Sequence, residues 1–165
     1  MWLTSITCIQ SEFLNQKSIT MKKLIILTCL FATLSVAASN PPEVTEKVLK
    51  AFNGTFMKAT DVVWHETQNY YEATFKQSEI LSRAIYDAEG NLLRTTRYYS
   101  QENLPIHILT KIQKRYAGKS IYGVTELSMQ DGVSYHITLQ DDTTWYVVES
   151  DSWGSLELTK KFKKA

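Results

Sequence analysis

Three histidines and two close carboxylate pairs are the side chains here with the chemistry to hold a metal or move a proton. Their spacing supports neither role. His65, His107 and His136 have no second histidine at the i, i+3 or i+4 spacing that brings metal ligands onto one helix face. His65 adjoins Glu66 in a strand-like segment, where successive side chains point to opposite faces. His107 falls on the wet side of a predicted helix, and His136 alternates with Ser134 and Thr138. Asp87 and Glu89 lie in Asp87-Ala88-Glu89-Gly90-Asn91, which lacks the 12-residue ligand series of a calcium loop and its closing bidentate glutamate. Turn chemistry accounts for it, and Asp141-Asp142 also falls at a turn. No Gly-x-Ser-x-Gly elbow and no glycine-rich phosphate loop occur. These patterns predict a non-enzyme with no cofactor and no metal site.

Aromatic content is the unusual feature, with 4 Trp, 9 Tyr and 6 Phe in 165 residues. Tyr70-Tyr71 and Trp145-Tyr146 are adjacent pairs, and strand alternation sends only one of each pair toward a core. Tyrosine and tryptophan give large contact area at low entropy cost, which favours them at binding surfaces. The competing reading is that cross-strand aromatic pairs stabilise an open sheet face. The expected binding face carries Tyr70, Glu72, His136 and one of Trp145 and Tyr146.

The positioning elements come in two rounds. Val44, Val48, Leu49, Phe52 and Phe56 repeat at helical spacing, predicting a helix over 43–56 after Pro41-Pro42. Gly54 weakens its last turn by about 1 kcal/mol relative to alanine. Leu104, Ile108, Leu109, Ile112 and Tyr116 repeat the pattern 60 residues later, with Asn103 as expected N-cap, Pro105 in the first turn and Ala117-Gly118 at the end. Alternating segments at 61–66, 70–76, 82–86 and 92–98 follow the first helix. Segments at 121–129, 133–140, 144–150 and 156–162 follow the second. Tyr71, Ala73 and Phe75 share one strand face, as do Tyr135, Ile137 and Leu139, displaced by 64. The predicted class is α+β: a tandem repeat of helix followed by antiparallel strands, halves about 43–99 and 103–162, with both helices on one face of the sheet. Each half of about 60 residues is marginal alone, so one continuous core is expected.

These residues resemble the PepSY-like family of small exported bacterial proteins, described as similar to beta-lactamase inhibitors. The family pattern Phe-Pro-x-Ala-x-x-Val-x-Trp is met by Phe56-Met57-Lys58-Ala59-Thr60-Asp61-Val62-Val63-Trp64. Its later motifs are met by Tyr70-Tyr71-Glu72-Ala73-Thr74-Phe75, by Tyr86-Asp87-Ala88-Glu89-Gly90-Asn91-Leu92 and by Leu104-Pro105. The match spans 44–158. Met57 and Ala117 stand where the family often has proline, which loosens the helix-to-strand corners. The resemblance implies the tandem α+β architecture and no catalytic residues.

The ends of the chain indicate where it goes. Met21-Lys22-Lys23, the uncharged run Leu24–Val36 and the small residues Ala37-Ala38 make a secretory signal over 21–38, cleaved near Ala38. Residues 1–20 are an expected upstream extension. The mature domain, 39–165, then has no cysteine, because Cys8 and Cys29 both fall in the leader. It carries 15 Lys and Arg against 16 Asp and Glu, a balance that argues against nucleic acid. Lys160-Lys161-Phe162-Lys163-Lys164 reads as a solvated tail. The expected protein is a periplasmic or secreted, non-catalytic binding module for a protein or peptide of the cell envelope, with no stable membrane insertion after signal removal. The rival expectation is a small-molecule or metal-binding periplasmic protein using the turn carboxylates.

Overall fold

A computed structural model describes residues 43–165. The expected extension at 1–20, the signal at 21–38 and both cysteines lie outside the described residues. Among the described residues no helix is long and apolar enough to cross a membrane.

The chain runs α1 (Glu46–Thr55), β1 (Thr60–Glu66), β2 (Tyr71–Gln77), β3 (Ile80–Tyr86) and β4 (Leu92–Tyr99). A second round follows with α2 (Ile106–Arg115), β5 (Ser120–Met129), β6 (Gly132–Gln140), β7 (Thr144–Asp151) and β8 (Leu156–Lys163). All eight strands form one antiparallel sheet in chain order, from β1 at one edge to β8 at the other. This is the predicted tandem architecture.

Local chemistry moves several boundaries. α1 starts at Glu46 because Thr45 caps it, its hydroxyl accepting from the Val48 amide at 3.4 Å. α2 starts after Pro105, not after Asn103. A 3₁₀ turn at Gln101–Asn103 leads in, and the Pro105 carbonyl accepts from the Ile108 and Leu109 amides at 2.9 and 3.0 Å. β3 begins two residues before the predicted position. Its hairpin with β2 closes on Ser78 and Glu79, both at positive φ (52° and 63°). That tight turn contains no glycine, asparagine or proline, so composition gave no sign of it. The lysine run at the C-terminus is not a tail but the edge strand β8. Lys160, Lys161 and Lys163 are exposed there, a charge pattern that discourages pairing with other chains.

Both helices lie on one sheet face, but the cores beneath them are separate. Under α1, Val48, Phe52, Ala73, Phe75, Ala84 and Tyr86 form one buried cluster. Under α2, Leu104, Ile108, Ile112, Val124, Tyr135, Ile137, Leu139, Tyr146 and Val148 form another. The expectation of one continuous core fails at the central β4–β5 pair. On the helix side of that pair, Arg97 faces Glu126. The Arg97 guanidinium donates to both Glu126 carboxylate oxygens at 3.1 and 3.3 Å, and the Tyr99 hydroxyl donates to Oε2 at 2.5 Å. A polar network thus lies between the two cores.

Tyr86, in the first core, is fully buried, and its hydroxyl has no hydrogen-bond partner among the described residues. The Thr55 hydroxyl approaches it but donates to the Ala51 carbonyl at 2.9 Å. Burial pushes the Tyr86 phenol up to about 12. Burial and the Glu126 carboxylate raise Tyr99 in the same direction. Below about pH 10 both folded and unfolded phenols hold their protons, and stability does not depend on them. Above it the unfolded chain ionises first, so stability falls as pH rises toward the folded value. Thermal melts from pH 7 to 12 should show a steep loss above pH 10. Tyr86→Phe should shallow that loss and leave neutral-pH stability unchanged or raised, because it removes an unpaired buried hydroxyl.

Candidate functional site

The face without helices is the candidate site. In antiparallel pairs, directly opposed residues point to the same side. One row across this face runs Leu81, Tyr98, Thr125, His136, Glu149 and Glu157. A second joins Gln140, Trp145 and Phe162 near the end of the last hairpin. A bulge between Ile121 and Gly123 turns Tyr122 onto the same face. Its ring meets Trp145 edge-on, with centroids 4.9 Å apart at 82°. The Lys164 ammonium sits 4.8 Å from the Trp145 ring centre and donates to the Gln140 side-chain oxygen at 2.9 Å. Tyr122 remains 67% exposed and Phe162 51% exposed. The result is an aromatic corner of Tyr122, Trp145 and Phe162 with a cation at its rim.

The predicted residues divide. Glu72, His136 and Trp145 lie on this open face. Glu72 pairs with His65 and Ile85, and its carboxylate approaches the Arg83 guanidinium at 3.9 Å. Glu72 on β2 and His136 on β6 are four strand steps apart, about 19 Å at the usual spacing, so they do not converge on one small ligand. Tyr146 is corrected. It is 8% exposed and belongs to the core under α2. Its hydroxyl donates to Asp141 Oδ2 at 2.8 Å, and the Lys119 ammonium lies 4.3 Å from its ring. Of the pair Trp145-Tyr146, it is therefore Trp145 that faces outward. Tyr70 is also displaced from the expected strand. It is exposed in the β1–β2 turn, where its carbonyl accepts from the Thr67 amide at 3.0 Å.

Tyr98, Tyr122, Phe162 and Lys164 also belong to this face, outside the expected binding set. Tyr98 was legible by alternation along β4. Tyr122 was hidden because the bulge breaks the two-residue period. Phe162 and Lys164 were hidden in the charged run.

The carboxylates of the rival reading have local work. Asp87 Oδ1 accepts from the Glu89 and Asn91 amides at 3.0 and 2.8 Å, and Asp151 Oδ1 accepts from the Trp153 and Ser155 amides, both at 2.9 Å. These bonds lower both acids, with the Asn91 side chain the largest influence on Asp87 and the Ser155 amide on Asp151. Asp141 is held well below the usual carboxylate range, first by the Tyr146 hydroxyl and then by the Thr143 amide and the Lys119 ammonium. Among the described residues no group of three or more His, Cys, Asp and Glu is placed to hold a metal. His107 lies on the exposed side of α2, as expected, and its Nε2 is 3.0 Å from the Ser152 carbonyl.

Neither a family model nor a curated protein matches the chain. Solved structures do. A BLIP-like protein from Bacteroides fragilis superposes with a TM-score of 0.62 at 20% identity, over 78% of this chain and 92% of that one. A protein from Bacteroides eggerthii described as a putative periplasmic protein gives 0.58 at 12% identity, over 74% and 90%. A DUF2874 family protein from Bacteroides ovatus gives 0.58 at 20% identity, over 76% and 89%. At these identities the likeness establishes a shared fold, the one implied by the PepSY-like motifs.

Proposed function

We propose that the mature chain is an exported, non-catalytic binding module of the bacterial envelope that engages a protein or peptide through its open sheet face. The observation that carries this reading is the corner of Tyr122, Trp145 and Phe162, apolar, aromatic and turned to solvent on a rigid sheet. Flat aromatic area with a neighbouring cation and a carboxylate pair, Glu149 beside Glu157, suits a polypeptide better than a small molecule. The signal over 21–38 and the periplasmic description given to one structure of the same fold support export.

The test compares the wild type with a Tyr122→Ala/Trp145→Ala double variant in pull-downs from envelope extract. Truncating central aromatic anchors costs about 2 kcal/mol or more each in a binding hot spot, so partner recovery should fall at least tenfold. The variant should keep its fold, because neither ring belongs to a buried cluster. Equal recovery by both proteins removes this face from the function.

A further inference from the structure

We propose that the groove between α2 and the β7–β8 turn, on the helix side of the molecule, binds a small amphiphilic anion: one acidic head group on an apolar body. The groove has a volume of about 460 Å³ and is lined by Lys111, Lys114, Arg115, Gly154 and Leu156. That is the size of a small-molecule site. Its cations converge on one stretch of helix. Lys111 Nζ donates to the Trp153 and Gly154 carbonyls at 2.9 and 3.1 Å, and the Arg115 guanidinium donates to the Leu156 carbonyl at 2.7 Å. Carbonyls position these groups without neutralising them. No lining residue is acidic, and none of the three cations joins an ion pair among the described residues.

The internal repeat shows that packing does not require these charges. Sixty residues earlier, the positions of Lys111, Lys114 and Arg115 are held by Ala51, Gly54 and Thr55. There α1 meets the β3–β4 turn directly, so closely that a side chain on Gly90 would come within 3.0 Å of the Lys47 carbonyl oxygen. The same helix-on-hairpin contact is made through the Lys47 backbone in one half, and through the charged ends of Lys111 and Arg115 in the other. Three exposed cations with no acid among the lining residues would complement an anionic head group. Leu156 and the aliphatic stems of the lysines offer the apolar wall for its body. Trp153, 82% exposed at the adjoining turn, offers a lip for it to lie against.

The probe is octyl phosphate below its micellar range, titrated into ¹⁵N-labelled protein beside inorganic phosphate and octanol. Amide shifts should saturate at Lys111–Arg115 and Gly154–Leu156. Octyl phosphate should bind about tenfold or more tighter than either half-ligand, and added salt should weaken it. Among the described residues the Lys114 side chain makes no hydrogen bond, so Lys114→Glu should leave the spectrum dispersed and reduce affinity about tenfold by charge reversal. The proposal is overturned by an absence of saturation, by inorganic phosphate binding as well as octyl phosphate, by equal affinity in Lys114→Glu, or by shifts confined to the Tyr122, Trp145 and Phe162 corner. The last result would also leave the open-face reading intact, which separates the two surfaces.

Discussion

Phe52→Ala should destabilise the protein by about 3–5 kcal/mol, the usual range for deleting a buried phenylalanine. Phe52 is the hub of the first core. Its ring lies 5.1 Å from Phe75, 5.2 Å from Trp64, 5.4 Å from Phe56 and 6.5 Å from Tyr86, centroid to centroid. Three of these contacts are edge-on, a geometry worth more than the area alone. Four rings border the space the substitution would open. The separation of the two cores shapes where the damage falls. Hydrogen exchange should show amides of β2 and β3 losing protection, while β6 and β7, seated on the second core, keep more of theirs. Urea unfolding measures the total. A loss under 1 kcal/mol would mean that the aromatic cluster is not packed as described, and a uniform loss of protection would mean that the cores act as one.

Glu126→Leu should cost about 2–3 kcal/mol. Its side chain is 12% exposed and serves Arg97 and Tyr99 together. Removing one partner of a fully buried pair costs about 3–5 kcal/mol, mostly from stranding the other charge. The Arg97 side chain is 39% exposed, so water recovers part of that cost and the lower figure applies. Leaving the Tyr99 hydroxyl without its acceptor adds to the loss. Arg97→Met combined with Glu126→Leu should recover much of the stability, because no charge is then stranded. A double-mutant cycle on urea midpoints checks this, and additive losses would show that the two side chains do not act as a pair. Glu126→Gln offers a second readout. The Tyr99 phenol should titrate at lower pH than in the wild type, because the Glu126 carboxylate helps to hold it up. Absorbance at alkaline pH follows that change.

Both expectations concern a fold whose outline was written plainly in local pattern. Val48 and Phe52 on α1, and Ile108 and Ile112 on α2, are buried as their helical spacing requires. Ala73 and Phe75 on β2, and Tyr135, Ile137 and Leu139 on β6, are buried as alternation requires. The shift of 60 to 64 residues between the halves was enough to foresee a repeated helix-plus-meander, and a meander can only be antiparallel with short turns. Asp87 and Asp151 were legible as turn residues because an aspartate that binds its own downstream amides needs nothing from elsewhere in the chain.

What local pattern could not decide was everything that depends on two distant segments meeting. Alternation separates Trp145 from Tyr146 but does not say which is inside; the packing of α2 on β7 does, and it takes Tyr146. The break between the cores required knowing that Arg97 and Glu126 come together on the β4–β5 pair across 29 residues of sequence. The aromatic corner depends on a bulge at Tyr122, and the cationic groove on the β7–β8 turn lying under α2. Periodicity in a chain reports how each segment partitions between water and an interior. Which interior, which neighbour and which face stays in solvent are settled by the geometry of the sheet and by where two short helices happen to end.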